Sequence, residues 1–258
     1  MKLETRIHEC LAEGRPAFGA FATLSSPSAI ELLVGYCRLD WMGIDLQHSS
    51  LSPFDSAHLL RALQSADPAV TAFARLPGQE KFWIEQSLDT GYMGLIVPQV
   101  ESADQARALV KASYYPPRGE RSYAGSVRAS LYDDYFANFN DRLVLLPQIE
   151  SKAGLENCEA IIQEPGISGA LLGPGDLSMS CGWPMTNQWS HPPFRDAVKR
   201  VAAVCTEAGK IPATLMGGED QIRQAREAGY QMLGIGGDSV FIRTDMARQI
   251  KELIESTT

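Results

Sequence analysis

Five polar residues stand where short apolar runs end, and their types suit acid–base and metal chemistry. Asp45 and His48 close the run at 41–46, Arg75 closes 70–75, Glu150 follows 143–149, and Asp176 follows 167–173. Glu150 and Asp176 follow consecutive runs. Two carboxylates, completed by water and a chelating substrate, make a site for a hard cation such as Mg²⁺ or Mn²⁺, with Co²⁺ as a further candidate. Soft ligands are missing from the set, which argues against zinc. Each acid has a plainer reading as a helix cap, and for Glu150 alone the two readings stand level. Arg75 presents a planar fork suited to a carboxylate or a developing enolate oxygen, or equally to an ion pair with a neighbouring acid. His48 is expected as a general base that works near neutral pH. Asp45 is expected either to orient His48 or to hold a metal-bound water. Asp89, at a helix end before the run at 93–98, is expected to bond to the His48 imidazole or to end its helix in solvent. Gln148 shares a run with Glu150, and Gly173-Pro174-Gly175 lets backbone N–H groups approach a bound carboxylate.

The apolar runs must position these groups. Eight occur, at 18–23, 41–46, 70–75, 93–98, 143–149, 167–173, 211–216 and 232–236. They are apolar on both faces, as buried parallel strands are. Helical patterns separate them. Ser52-Pro53 reads as an N-cap with proline in the first turn. Segment 78–89 ends before Gly91, and 102–111 opens with Ser and an acidic turn. Segments 192–208 and 220–228 end before Gly209 and Gly229, and a last helix covers 240–256 behind Asp238 and Ser239. Eight β/α repeats in 258 residues predict an α/β chain folded as one (β/α)8 barrel over 1–258. An open doubly wound sheet is the alternative, but its glycine-rich fingerprint is absent after the first run. In a barrel every strand end above lies on one face, where active sites are built. The long connections 113–142 and 174–193 are expected on that face, with Arg118, Arg121, Trp183 and Trp189 lining a pocket. Segment 236–239 reads mainly as a turn and cap, with phosphate binding as a second reading.

Composition narrows the function. A net charge of −8 with 45% hydrophobic and 21% charged residues describes a globular protein without a nucleic-acid footprint. The five cysteines are widely spaced and form no C-x-x-C, which predicts reduced thiols. The polar N-terminal stretch has no signal-peptide core, and no run reaches the roughly 18 apolar residues of a membrane span. A cytoplasmic location is expected. Among the lysines only Lys152 lies near a strand end, and it opens a helix. An imine-forming aldolase needs such a lysine, so enolate chemistry assisted by a metal is expected instead.

The stretches DWMGIDLQH, FARLP, GLIVPQVESADQA, YYPPRGERSYAG, LLPQIES and GALLGPGDLSMSCG occur in that order. Together they resemble the HpcH/HpaI family of class II pyruvate aldolases, over nearly the whole chain from about Gly19. The resemblance implies a β/α barrel, a divalent metal, pyruvate as nucleophilic partner, and a homohexamer whose last helix is swapped between subunits. It implies that His48 is the catalytic histidine, Arg75 the pyruvate-binding arginine, Glu150 and Asp176 the metal ligands, and Gln148 a substrate contact. It also implies that the backbone around Gly175 holds the pyruvate carboxylate. Members often read I-D-G-E-H where this chain has Ile44-Asp45-Leu46-Gln47-His48, and many have Ala at Gly175. Leu46 is expected to add bulk near the site and Gln47 to remove a carboxylate, which bears on the aldehyde half. Three alternatives remain open: a CoA-ester lyase, which usually carries a C-terminal lid segment not expected here; a 2-oxo-diacid decarboxylase; and a non-catalytic pyruvate-binding barrel.

Overall fold

The computed structural model describes residues 3, 5–125 and 127–257. Among them eight parallel strands pair in sequence order and close into a barrel: β1 (Ala17–Ala22), β2 (Trp41–Asp45), β3 (Thr71–Arg75), β4 (Gly94–Val97), β5 (Val144–Ile149), β6 (Gly169–Leu172), β7 (Ile211–Leu215) and β8 (Met232–Gly237). All eight predicted runs are strands, with ends shifted by a residue or two. The helices are α1 (Arg6–Ala12), α2 (Pro27–Cys37), α3 (Ala57–Ala66), α4 (Lys81–Thr90), α5 (Ala103–Ser113), α6 (Tyr135–Arg142), α7 (Lys152–Glu156), α8 (Cys158–Gln163), α9 (Pro174–Cys181), α10 (Pro192–Glu207), α11 (Glu219–Glu227) and α12 (Asp238–Thr257).

Local chemistry sets most helix ends. Ser102 caps α5 in a full capping box with Gln105. Gly91 ends α4 at φ 113°, a left-handed conformation that costs glycine little. Ser52-Pro53 does not start a helix as expected. The Ser52 hydroxyl donates to Asp55 Oδ2 at 2.6 Å within a turn, and α3 begins only at Ala57.

The strand period of two sorts the core. One set of alternate residues fills the barrel, with Phe21, Trp41, Phe73, Ile96, Leu146 and Leu171 in one cluster. Trp41 meets Phe21 and Phe73 edge-on at 5.7 and 5.8 Å between ring centroids. Neighbouring glycines make room for these rings: a Cβ on Gly94 would lie 2.2 Å from the Phe73 ring. The other set, including Met42, Ile44, Leu95 and Leu172, faces the helices. Helix α1 closes the lower end with Ile7 and Cys10, and the Ile7 amide donates to Thr71 Oγ at 3.1 Å.

One expected loop lies at the wrong end of the barrel for its expected role. Helix α5 follows β4 directly and turns the chain back, so segment 114–134 leaves from the lower, amino-terminal face. Arg121 is buried there, stacked on Tyr115 and Phe139 and paired with Asp89 at 2.6 Å. Arg118 stacks on Tyr114. Neither arginine shapes a pocket at the upper mouth.

Candidate active site

Inward-facing positions continue upward from the aromatic layer, and at the carboxyl-terminal mouth they are Asp45, Arg75, Gln148 and Glu150. Asp45 and Arg75 are register partners on adjacent strands. The guanidinium grips the carboxylate with both prongs, Nε to Oδ1 at 3.0 Å and a terminal nitrogen to Oδ2 at 2.5 Å. It also lies 4.9 Å from the centre of the Phe21 ring. Asp45 Oδ1 accepts the amides of Gln47 at 3.0 Å and His48 at 3.1 Å, and the Ser49 hydroxyl donates to the Asp45 carbonyl. Burial opposes ionisation of this carboxyl, but the bonds and charge of Arg75, with the two amides, hold its pKa below the usual value. Asp45 thus orients the His48 turn, one of its two expected roles. It does so through the backbone of the turn, and both its oxygens bond to Arg75. His48 itself is exposed at the rim.

Glu150 is buried, and three features define it. The Gln99 amide donates to Oε1 at 2.8 Å, the Gln148 side-chain amide donates to Oε2, and Asp176 lies close enough to repel it. Burial first, and then the charge of Asp176, push the Glu150 carboxyl up to about 7 against the pull of the Gln99 amide. Gln99 presents that amide from a left-handed backbone with φ 56°, strained for a non-glycine residue. The Gln79 side chain pins the turn, donating to the carbonyls of Pro98 at 3.1 Å and Gln99 at 2.7 Å. Gln99 stands at the polar end of the fourth run, but Gln79 carries no signal in the sequence. Nothing local marks Gln79, because its role exists only in contact with the turn after β4.

Asp176 sits exposed in the first turn of α9, behind Pro174. Gly173 is required for contact: a Cβ there would lie 2.9 Å from the Gln148 side-chain nitrogen and 3.0 Å from Glu150 Oε2. A Cβ on Gly175 would meet nothing within 4 Å, so alanine fits there. Gln188 holds the loop beyond α9, donating to the Pro174 carbonyl at 2.9 Å and to Ser178 Oγ at 2.7 Å. Two clefts open near this edge. One of about 270 Å³ is lined by Gln99, Glu101, Glu150, Ser151 and Asp176. The other, about 410 Å³, runs from Arg75, Pro174 and Gly175 toward Phe21, Met185 and the ends of β7 and β8. Among the described residues neither is lined by a lysine.

Three further expectations change and one holds. Asp89 ends α4 at the lower face, bound to Arg121, so within one chain it does not reach His48. Leu46 points outward into the helix-facing core, not into the site. Trp183 and Trp189 pack edge-on against Phe194, leaving Met185 and Gln188 on the cleft wall. Asp238 accepts the amides of Thr23, Leu24 and Ser239 at 2.7–3.0 Å, so segment 236–239 is the turn and helix start it mainly reads as.

The residues fit a hard divalent cation. The donors are all oxygen, Gln148 Oε1 is buried without a hydrogen-bond partner, and Glu150 is a buried acid with no cation bonded to it. Among the described residues no cluster of three or more His, Cys, Asp or Glu side chains forms a complete metal cage. Glu150 and Asp176 would hold such an ion, with further positions open to substrate and water. No helix among the described residues is long and apolar enough to cross a membrane.

The arrangement has relatives. The chain is 34% identical over 245 residues to a hydroxypyruvate/pyruvate aldolase of Sagittula stellata, covering 93% of this chain and 94% of that one. It is 33% identical to a 4-hydroxy-2-oxo-heptane-1,7-dioate aldolase of Shigella sonnei, covering 93% and 91%. A crystal structure of an HpcH/HpaI aldolase/citrate lyase family protein from Burkholderia cenocepacia superposes with a TM-score of 0.83 at 30% identity, over 93% and 95% of the two chains. Residues 17–244 match the family as a whole. With a closed barrel, an acid pair at its mouth and these relatives along almost its entire length, the chain belongs to the HpcH/HpaI aldolase/citrate lyase family and is a carbon–carbon lyase of the aldolase type.

Proposed function

We propose that this enzyme is a divalent-metal-dependent class II pyruvate aldolase that reversibly splits a 4-hydroxy-2-oxo acid, or a 2-keto-3-deoxy sugar acid, into pyruvate and an aldehyde. The observation that supports it most is the buried, otherwise uncompensated Glu150 beside Asp176, at the same mouth as Arg75 and His48. Glu150 and Asp176 would hold Mg²⁺ or Mn²⁺, which when bound supplies Lewis acidity toward the carboxylate and keto oxygens of the 2-oxo acid. Gly173, Pro174 and Gly175 present backbone to the carboxylate at the start of α9, where helix polarity favours an anion. Gln148 contacts the substrate with its unpartnered oxygen or, after rotation of the amide, its nitrogen. Arg75, fixed by Asp45, places positive charge where the enolate oxygen develops. His48 takes the proton of the 4-hydroxyl. The C3–C4 electron pair then moves into the enolate as the aldehyde leaves, and protonation at C3 gives pyruvate.

Helix α12 supports an oligomer. Ile242, Met246, Ile250 and Leu253 recur at helical spacing and are 53–65% exposed, an apolar stripe that another copy would cover. The hexamer with a swapped last helix is the assembly we propose, and light scattering after size exclusion tests it. The five cysteines are all free thiols, which fits a reducing, cytoplasmic setting.

The test needs no knowledge of the aldehyde. The protein is incubated with pyruvate in D₂O, and the methyl signal is followed by proton NMR with Mg²⁺ or Mn²⁺ and then with EDTA. Metal-dependent loss of the signal, abolished by Arg75→Ala, supports enolate formation. No exchange with either metal refutes the proposal and returns weight to an acyl-CoA substrate or a binding protein.

A further inference from the structure

We propose that Gln79 is a positioning residue for the metal site: its side-chain amide holds the turn after β4 in the one orientation from which the Gln99 amide fixes Glu150. This inference rests on the reading of Glu150 and Asp176 as metal ligands and deepens it.

Gln99 occupies a left-handed conformation, φ 56°, that residues with a Cβ seldom adopt. An outlier of this kind persists only where its surroundings hold it. The Gln99 side chain is exposed, so its own packing does not hold the turn. Hydrogen bonds do. The Gln99 amide donates to Glu150 Oε1 at 2.8 Å. The carbonyls of Pro98 and Gln99 converge on the Gln79 side-chain nitrogen at 3.1 and 2.7 Å, one acceptor for each of its two hydrogens. The Pro98 carbonyl and the Gln99 amide belong to a single trans peptide group, so they point in opposite directions. That rigid plane spans from Gln79 on one side to Glu150 on the other. Three successive β/α units are thereby joined: Gln79 follows β3, the turn follows β4 and Glu150 follows β5. Gln79 lines neither of the two clefts, so it acts through this peptide and not on the substrate. Without its bonds the peptide can rotate and Gln99 can relax to an ordinary conformation. The N–H then turns away from Glu150 and frees the carboxylate that faces Asp176. Partners that orient a metal ligand in this way are worth about 10–100-fold in metal affinity.

The test is an EPR titration of the full-length protein with Mn²⁺, with thermal unfolding in EDTA to check that each variant is folded. Gln79→Ala should raise the Mn²⁺ Kd about tenfold. Gln79→Met, which keeps a long side chain but lacks the donors, should do the same. Gln99→Gly gives the turn a residue that takes positive φ without strain, so the turn depends less on being held. Adding Q79A to Q99G should therefore raise the Kd by less than about threefold, the non-additivity of two residues that act as one unit. A purely structural role for Gln79 would not produce that dependence on residue 99. An unchanged Kd in Gln79→Ala or Gln79→Met overturns the inference, and so does an equal tenfold loss in the Q99G background. An unaltered protein that binds Mn²⁺ but does not exchange pyruvate methyl protons fails the aldolase reading alone, because the Kd comparison still decides the role of Gln79. One that binds no Mn²⁺ overturns both.

Discussion

Replacing Glu150 with glutamine should make the metal-free protein more stable at pH 8 than it is as a glutamate, and this reversal of the usual cost of a buried substitution can be worked from the site. The carboxyl is raised from 4.5 to about 7, first by burial and then by Asp176. Between those values the folded state keeps a proton that the unfolded chain has already released. Stability therefore falls as pH rises through this window, and above pH 7 the full penalty is present. Moving the carboxyl that far corresponds to about 3 kcal/mol. Glutamine keeps the shape and accepts the Gln99 amide at the same oxygen. Its new NH₂ faces Gln148, whose side-chain oxygen is unpartnered and turns toward it when that amide rotates. The assay is thermal unfolding in EDTA at pH 5 and pH 8. E150Q should gain little at pH 5 and about 6–10 °C at pH 8, since each kcal/mol moves the midpoint of a chain this size by about 2–4 °C. Adding Mn²⁺ should raise the midpoint of the unaltered protein and not that of E150Q. An equal gap at both pH values, or a variant less stable at pH 8, refutes the account of Glu150 as a buried acid awaiting a cation.

Other consequences follow from single contacts. His48→Ala should lower kcat for the aldol step by about 100-fold or more while pyruvate binding changes little; steady-state kinetics showing only a raised KM contradict the assignment of His48 as base. Gly173→Ala places a methyl against Gln148 and Glu150 and should weaken Mn²⁺ binding by about tenfold, measured by EPR titration, whereas Gly175→Ala should leave it unchanged. Gly94→Ala drives a methyl into the Phe73 ring and should cost about 1–3 kcal/mol in urea unfolding, with Phe73→Leu in the same chain recovering part of the loss.

Much of this molecule is legible in one dimension because a β/α barrel repeats a simple local pattern. Runs such as 41–46 and 143–149 are apolar on both faces, and only strands covered on both sides need that. Their polar last residues then mark the mouth, since every strand of a parallel barrel ends on the same face. Capping chemistry is equally local, so Ser102 and Gly91 mark helix ends correctly.

The misreadings share a physical origin. Whether Leu46 points into the site or away from it depends on strand phase, and adjacent residues of one strand face opposite sides. Segment 114–134 was placed at the mouth although α5 intervenes; one helix reverses the chain and carries a loop to the other end of the barrel. Arg121 goes with it and meets Asp89, which α4 has already carried to the same end.

The amino-acid order by itself determined the eight strands, the closed parallel barrel they imply, and the acid, arginine and histidine at the strand ends, because each of these follows from hydrophobic period and chain direction. Tertiary structure alone decided that Asp45 grips Arg75 with both oxygens while holding the His48 turn, and that the strained Gln99 turn donates to Glu150. Those facts depend on which side chains meet across neighbouring strands and loops, and only closure of the barrel brings them together.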